Sequence, residues 1–123
     1  MSELSQKDIK WNKLWDLWAE EKLESPYDEL MKYSAEINNG GHLQFFDNVA
    51  ENYNLELVIK NLYSILPQNH KNNLQLAYKT YLINTEDISD ENNAILDECD
   101  NFFYDNEMVI NKLLEDRASK IIL

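Results

Sequence analysis

The chain has 123 residues, of which 44% are hydrophobic and 11% aromatic. This composition supplies enough apolar material for one domain with a core, and it argues against intrinsic disorder. The formal net charge of −12 makes nucleic acid and anionic membranes poor direct partners, because both are negatively charged. We therefore expect residues 1–123 to form a single domain that binds neither directly.

The cysteine count and the N-terminal residues predict a cytoplasmic protein. Cys99 is the only cysteine, so no internal disulfide is possible and a reducing compartment fits best. The opening residues, MSELSQKD, lack the apolar stretch of a secretory signal. No run approaches the ~18 apolar residues that span a bilayer.

Hydrophobic spacing predicts an all-α fold, a compact bundle of about six helices. In the first helix Trp11, Leu14, Trp15 and Trp18 stand at i, i+3, i+4 and i+7, which is one helix face. Three tryptophans on one face are also compatible with a stacking platform for single-stranded nucleic acid. Because no basic groove accompanies them, core packing or a dimer contact is the better interpretation.

The second helix has a start signal at Ser25-Pro26-Tyr27-Asp28. We expect Ser25 at the N-cap and Pro26 at the first helical position. Further apolar stripes predict helices over residues 55–66, 74–82 and 90–103, and a last helix from Met108 toward Leu123. Ser89 is the expected N-cap of the helix over residues 90–103.

The only two glycines lie side by side in the stretch NGGHLQFFDN, residues 39–48. We expect Gly40 to end the second helix with a positive φ, and Gly41 to let the chain turn before Phe45 and Phe46 resume helical spacing. The stretch therefore predicts a tight corner between two helices.

Metal binding and catalysis have little support in the sequence. His42 and His70 are the only histidines, and no spacing typical of a metal site relates them to each other or to Cys99. We expect His42 to cap or pack at the corner and His70 to lie in a solvated turn. Cys99 falls on the apolar side of its helix, as an inert thiol would. We predict no catalytic residue, no metal and no cofactor.

One alternative uses the corner itself. Gly40, Gly41, His42 and Gln44 would line a small-ligand or enzymatic site if a deep pocket converged on the His42 and Gln44 side chains. A closed corner would argue against this ligand or enzyme hypothesis, and an open pocket at the corner would favour it.

The strongest functional signal is acidic. Residues 84–111 hold nine acids and no base, a net charge of −9. On a helical wheel for residues 90–105, five acids fall within an arc of roughly 120° and the apolar residues fall on the opposite arc. An acidic face that only keeps the protein soluble is the alternative. The residues predicted to bind a partner are Asp87, Asp90, Glu91, Asp97, Glu98 and Asp105.

The corner motif resembles the signature of a bacterial all-α domain family that is named after a DNA-mimic protein and whose members are mostly of unknown function. The resemblance extends from about Ser25 to about Leu114. It implies an all-helical fold and, for the namesake, a dimer whose acidic surface is similar to duplex DNA and occupies the basic site of a DNA-binding protein. The residues that carry it are Asn39, Gly40, Gly41, Gln44, Phe45, Phe46 and Asn48.

These signature residues are interpreted as structural. Phe45 and Phe46 are expected in the core. Gln44 and Asn48 lie one turn apart on one helix face, where they either hydrogen-bond the backbone of the corner or line a small pocket.

The sequence thus favours an acidic, non-enzymatic interaction protein. Its expected partner is a basic protein, either a DNA-binding regulator or a nuclease, and the nuclease case includes a toxin-immunity role. A homodimer is possible, since one helix imitates only one strand of a duplex.

Overall fold

The computed structural model describes residues 5–84 and 89–123, and within these ranges it contains α-helices and no β-strand. The all-α prediction is confirmed. None of the helices in these two ranges is both long enough and apolar enough to cross a membrane. The helices are α1 (Gln6–Ala19), α2 (Tyr27–Asn52), α3 (Leu55–Tyr63), α4 (Gln68–Asn84), α5 (Asp90–Asp105) and α6 (Glu107–Ala118).

Helix α1 begins with a capping box. The Ser5 hydroxyl accepts from the Asp8 backbone N–H at 3.1 Å, and the Asp8 carboxylate reaches back to the Ser5 N–H, so two backbone donors at the helix start are satisfied. The three tryptophans of α1 are partly buried against the core and stack edge to face, with centroid distances of 6.1 and 5.7 Å. Helix α1 packs against α6.

The start of α2 differs from the prediction by one residue. Pro26 occupies the N-cap position without a side-chain cap, and the helix begins at Tyr27. The Ser25 hydroxyl instead donates to the carboxylate of Glu29, which is only 7% exposed. A buried carboxylate needs a hydrogen-bond donor. The Ser25 hydroxyl supplies this donor to Glu29 and therefore does not cap the helix.

Helix α2 folds back on itself at the corner. The Lys32 ammonium lies 4.6 Å from the centroid of the Tyr53 ring, although 21 residues of straight helix would separate the two positions by about 31 Å. The segment before the corner, residues 27–40, therefore lies antiparallel to the segment after it, residues 41–52. We call these segments the first and second arms of α2. The predicted helix–helix corner is present.

The glycines act differently from the prediction. Gly40 has helical backbone angles and belongs to the first arm, whereas Gly41 has φ 81° and ψ −174°, a region open essentially to glycine alone. The expectation of a positive φ at Gly40 was wrong by one residue. Gly40 instead allows a close approach, because an added Cβ would lie 2.0 Å from Oε1 of Gln44.

All six helices contribute buried residues to the core, and its aromatic part lies between the arms of α2 and helix α5. Phe45 and Phe46 are fully buried, as predicted, and so are Tyr33 and Phe103. The Tyr33 ring contacts Phe45 at 5.0 Å and Phe103 at 5.3 Å, both edge to face. Helix α5 packs on α4 and α2, and this packing determines which of its sides faces outward.

Candidate functional site

Helix α5 carries the candidate site and is well defined at its start. The Ser89 hydroxyl accepts from the Asn92 backbone N–H at 3.1 Å, which confirms the predicted N-cap. Asp90 and Glu91 follow in the first turn, where the helix dipole favours negative charge. On the inner side Leu96, Cys99 and Phe103 are buried.

The outer side of α5 is an acidic face. All five of its predicted residues within the described part of the chain are exposed, and none makes an ion pair with another described residue. Asp87, the sixth predicted residue, lies outside the described residues. We call the five the acidic face: Asp90, Glu91, Asp97, Glu98 and Asp105.

The charge density of the acidic face approaches that of one nucleic-acid strand. Five carboxylates over ~22 Å of helix, at 1.5 Å per residue, place about one charge every 4–5 Å. A single strand of duplex DNA presents one phosphate per ~3.4 Å of axis. The match extends to one strand only, so imitation of a duplex requires further acids or a second chain.

Asp100 lies on α5 but points inward, toward the corner. Its Oδ1 accepts from the His42 backbone N–H at 2.7 Å and lies 2.6 Å from His42 Nδ1. Because a carboxylate can only accept, Nδ1 carries the proton. On the far side of the ring, Nε2 lies 2.7 Å from the Tyr33 hydroxyl. We call these contacts the His42–Asp100 clasp.

Burial keeps the Tyr33 hydroxyl protonated. Tyr33 is fully buried, and its pKa is raised well above the ordinary value by desolvation first and then by the nearby Cys99 and Asp100. This hydroxyl forms a hydrogen bond with Nε2 of His42. Both ring nitrogens of His42 and the Tyr33 hydroxyl therefore have partners, as buried polar groups require.

Gly41 makes the clasp possible. A Cβ at this position would lie 2.3 Å from Oδ2 of Asp100, so any other residue would push the carboxylate away. Two further contacts join the first arm of α2 to the end of α5 and to the start of α6. The Tyr104 hydroxyl donates to the Ile37 carbonyl at 2.7 Å, and the Asn38 amide donates to Glu107, at the start of α6, at 2.6 Å. The corner thereby fixes the acidic face relative to the rest of the fold.

Gln44 and Asn48 form a different contact from the one expected. Their amides donate to Oε2 of Glu36 on the first arm, at 3.0 and 2.8 Å, and not to the backbone of the corner. A carboxylate is the stronger acceptor, because hydrogen bonds to charged groups are shorter and stronger. Asn48 also lines a cavity to which Gln44 does not contribute, so the expected pocket shared by the two side chains is not this one.

The corner is closed. His42 is fully buried, with both ring nitrogens engaged in the clasp. One cavity lies between α1 and α6 and two lie between α1 and α2, and none of the three is lined by Gly40, Gly41 or His42. The hypothesis of a ligand or catalytic site built on the corner therefore receives no support from the geometry.

His70 is fully buried, and the expectation of a solvated turn was wrong. It lies on α4, with Nε2 3.2 Å from the Asn106 carbonyl and Nδ1 without a partner among the described residues. Burial lowers its pKa, and the contact with Asn106 partly opposes this shift. Within residues 5–84 and 89–123, no cluster of three His, Cys, Asp or Glu side chains is arranged to hold a metal ion.

Cys99 is an inert thiol in this setting. It is 1% exposed, and its pKa is raised to about 11 by burial first and then by the charges of Asp100 and Glu98. The reactive thiolate is therefore scarce at neutral pH.

Asp100 and Glu36 are the two important carboxylates that sequence reasoning missed. Asp100 falls between the acidic and apolar arcs of α5, and this intermediate position was the available signal for a separate role. Glu36 gave no signal, because its partners Gln44 and Asn48 reach it only through the fold-back at Gly41.

A family model described as DMP19-like protein matches residues 29–120, well over half of the chain. This match confirms the resemblance to a DNA-mimic family that the sequence predicted. Among curated proteins and among solved structures, no match was found.

Proposed function

This chain belongs to the DMP19-like protein family, and on that premise we propose that it is a non-enzymatic inhibitor that binds the basic surface of a DNA-binding protein or nuclease. The observation that carries the proposal is the acidic face, five exposed carboxylates on one helix that make no ion pair with any other residue in the described part of the chain. Charges left unpaired by the fold are available to a partner.

Complementary charge would govern how such a partner binds. A row of carboxylates that resembles one phosphate strand attracts the lysines and arginines that contact a DNA backbone. Attraction of this kind speeds association and weakens as salt screens the charges. The same partner surface would be closed to DNA while the inhibitor is bound.

A second copy of the chain would extend the imitation from one strand to two. In the proposed state two acidic faces lie side by side in a homodimer and present two rows of carboxylates. The setting we propose is the cytoplasm, where DNA-binding regulators and intracellular nucleases are present.

The test is a capture experiment with the full chain in a lysate of its native cells at low salt. Bound proteins are eluted either with about 0.5 M salt, where the screening length falls to a few ångströms, or with duplex DNA. The proposal expects basic DNA-binding proteins or nucleases in both eluates, because DNA and the acidic face compete for one site. Proteins that salt releases but duplex DNA does not would contradict it.

A charge-matched pair of variants assigns the surface. One variant carries Asp90→Asn, Glu91→Gln, Asp97→Asn and Glu98→Gln, which removes four charges from the acidic face. The control removes four exposed charges elsewhere, through Asp16→Asn, Glu51→Gln, Glu56→Gln and Asp116→Asn.

We expect the first variant to lose affinity for the eluted partner by tenfold or more, and the control to lose much less. Equal losses would mean that only net charge matters and would reject the acidic face as the site. Adjacency of the gene to a toxin gene would favour the immunity role over the blocking of a regulator.

A further inference from the structure

A groove on the side of α1 and α2 has the chemistry of a cation site. Two adjoining cavities, of about 400 and 570 Å³, share the residues Trp18, Lys32 and Tyr53. They lie where the end of α1 meets the two arms of α2. We call the joined space the Trp18–Tyr53 groove.

The groove already holds one cation of its own chain. The Lys32 ammonium lies 2.5 Å from Oδ2 of Asp28 and 4.6 Å from the centre of the Tyr53 ring. Its side chain is only 14% exposed. A carboxylate and an aromatic face thus act together on a positive charge, which is how proteins bind organic cations.

The groove has negative charge in excess of this lysine. Three carboxylates line it, from Glu21, Asp28 and Glu36, against the single ammonium of Lys32. Glu36 is held in place by the amides of Gln44 and Asn48, and both donate to the same oxygen, Oε2. These two hydrogen bonds therefore do not use the other oxygen of Glu36, Oε1.

The hydrogen bonds along the lining leave it rich in acceptors. The Asn48 amide nitrogen donates to Glu36 at 2.8 Å, and the Asn52 amide nitrogen donates to the Asn48 carbonyl at 2.8 Å. Each amide thereby commits one of its two N–H donors, and its side-chain oxygen remains as an acceptor. A ligand that only donates hydrogen bonds is the chemical complement of such a lining.

We propose that the Trp18–Tyr53 groove binds a guanidinium group. Arginine's planar head stacks on aromatic faces and presents five N–H donors, so it satisfies the rings and the carboxylate together. The Lys32 ammonium engages Asp28 and the Tyr53 ring, so the second, planar cation would bind beside Glu36 and Trp18, which line the cavity together with Tyr53. The acidic face of α5 takes no part in this site, so the inference stands apart from the proposed function.

The test is an NMR titration of the full-length chain with three small probes. N-acetyl-L-arginine methylamide represents an arginine residue of a protein, and free L-arginine represents a small-molecule source. N-acetyl-L-citrulline methylamide has the same shape as the first probe without its charge. The signals followed are the indole N–H of Trp18 and the side-chain amides of Asn48 and Asn52.

We expect saturable shifts at these groups, with a Kd on the order of 1 mM for a single charged head group, and no saturation with the citrulline probe. Tighter binding of the blocked arginine assigns a protein side chain as the ligand, and tighter binding of free arginine assigns a small molecule. No saturation with either arginine probe, or equal shifts with citrulline, would overturn the proposal.

Two variants and one control locate the site. Glu36→Gln keeps an acceptor for Gln44 and Asn48 but removes the charge, and we expect about tenfold weaker binding. Tyr53→Leu removes an exposed ring, and we expect about fivefold weaker binding. The control, Asp97→Asn with Glu98→Gln, lowers the charge on α5 and should leave the affinity unchanged. An equal loss of affinity in the control would mean that net charge alone explains the effect, and it would refute the site.

Discussion

The two sides of α5 both carry carboxylates, but these carboxylates have different roles. On the inner side Asp100 accepts two hydrogen bonds from His42. On the outer side Asp97 and Glu98 are exposed and make no ion pair with a described residue. All three are carboxylates within four consecutive positions, so the difference arises from the direction in which each side chain points.

The contrast separates charge that stabilises the fold from charge that remains for a partner. A carboxylate that satisfies buried donors is expensive to remove, because its loss leaves those donors unpaired. An exposed carboxylate without a partner adds little to stability. The inner side should therefore respond to substitution through the free energy of unfolding, and the outer side through binding.

The largest expected effect is that of Gly41→Ala. An alanine at φ 81° and ψ −174° is strained, and its Cβ collides with the Asp100 carboxylate. We expect the free energy of unfolding to fall by about 3 kcal/mol or more, from strain together with loss of the clasp. Urea unfolding followed by circular dichroism measures it.

Gly40→Ala is the matched control for that prediction. Its backbone is helical, where alanine is favoured over glycine, and the three atoms nearest the added Cβ all belong to the Gln44 side chain, which would have to shift. A loss at Gly40 as large as the loss at Gly41 would show that backbone conformation is not the decisive difference between the two glycines.

The next effect is the difference between Asp100→Ala and Asp97→Ala. Both changes give α5 the same gain in helix propensity and remove one negative charge. We expect Asp100→Ala to lower the free energy of unfolding by about 2 kcal/mol, since two donors of His42 lose their acceptor. Asp97→Ala should change it by less than about 0.5 kcal/mol. Thermal or urea unfolding of the two variants measures this difference. Equal free energies of unfolding would contradict the distinction between the inner and outer sides of α5.

A smaller effect concerns pH and His70, which packs on the inner side of α5 against Phe102 at 5.3 Å. Its pKa is lowered in the folded chain by burial, so the unfolded chain binds the proton more tightly. The stability that His70 contributes is complete above the unfolded pKa of about 6.5 and is lost as the pH falls. The loss amounts to about 1.4 kcal/mol for each unit between the two pKa values.

Unfolding measured between pH 8 and pH 5 tests this linkage, with His70→Gln as the control. Glutamine retains a donor for the Asn106 carbonyl but does not titrate. We expect the control to lose stability less steeply as the pH falls. An identical slope in both proteins would show that His70 is not the titrating group.

The smallest effect is expected from Asp97→Asn combined with Glu98→Gln. These side chains are exposed, so the free energy of unfolding should change by no more than about 0.5 kcal/mol, while affinity for a basic partner falls. A loss of stability several times larger would mean that the outer side also supports the fold.

Local signals in the sequence predicted the helices well. The spacing of apolar residues and the cap at Ser89 depend on neighbours within one or two turns, and both were confirmed. The family resemblance was confirmed as well. Errors arose where a distant partner decides the outcome. Ser25 serves Glu29 instead of the backbone, and His70 is buried by α5 and by the backbone of Asn106.

The acidic face was partly predictable for the same reason. A helical wheel gives the direction of each side chain around its own axis, so exposure of the five carboxylates followed once α5 was placed. The wheel does not give the path of α2, and so the roles of Asp100 and Glu36 could not be foreseen. Whether the acidic face binds a partner stays a prediction.

The lone thiol on the inner side of α5 gives this chain a built-in reporter. Cys99 is closed off between α4 and α5, where the Asn73 amide donates to its carbonyl at 2.9 Å, and its raised pKa keeps the sulfur protonated. A disulfide reagent can therefore react quickly with Cys99 only in molecules in which α4 and α5 have separated. The rate of Cys99 labelling would report how often α4 and α5 separate in the native protein, without any engineered probe. A partner bound to α5 would slow this labelling.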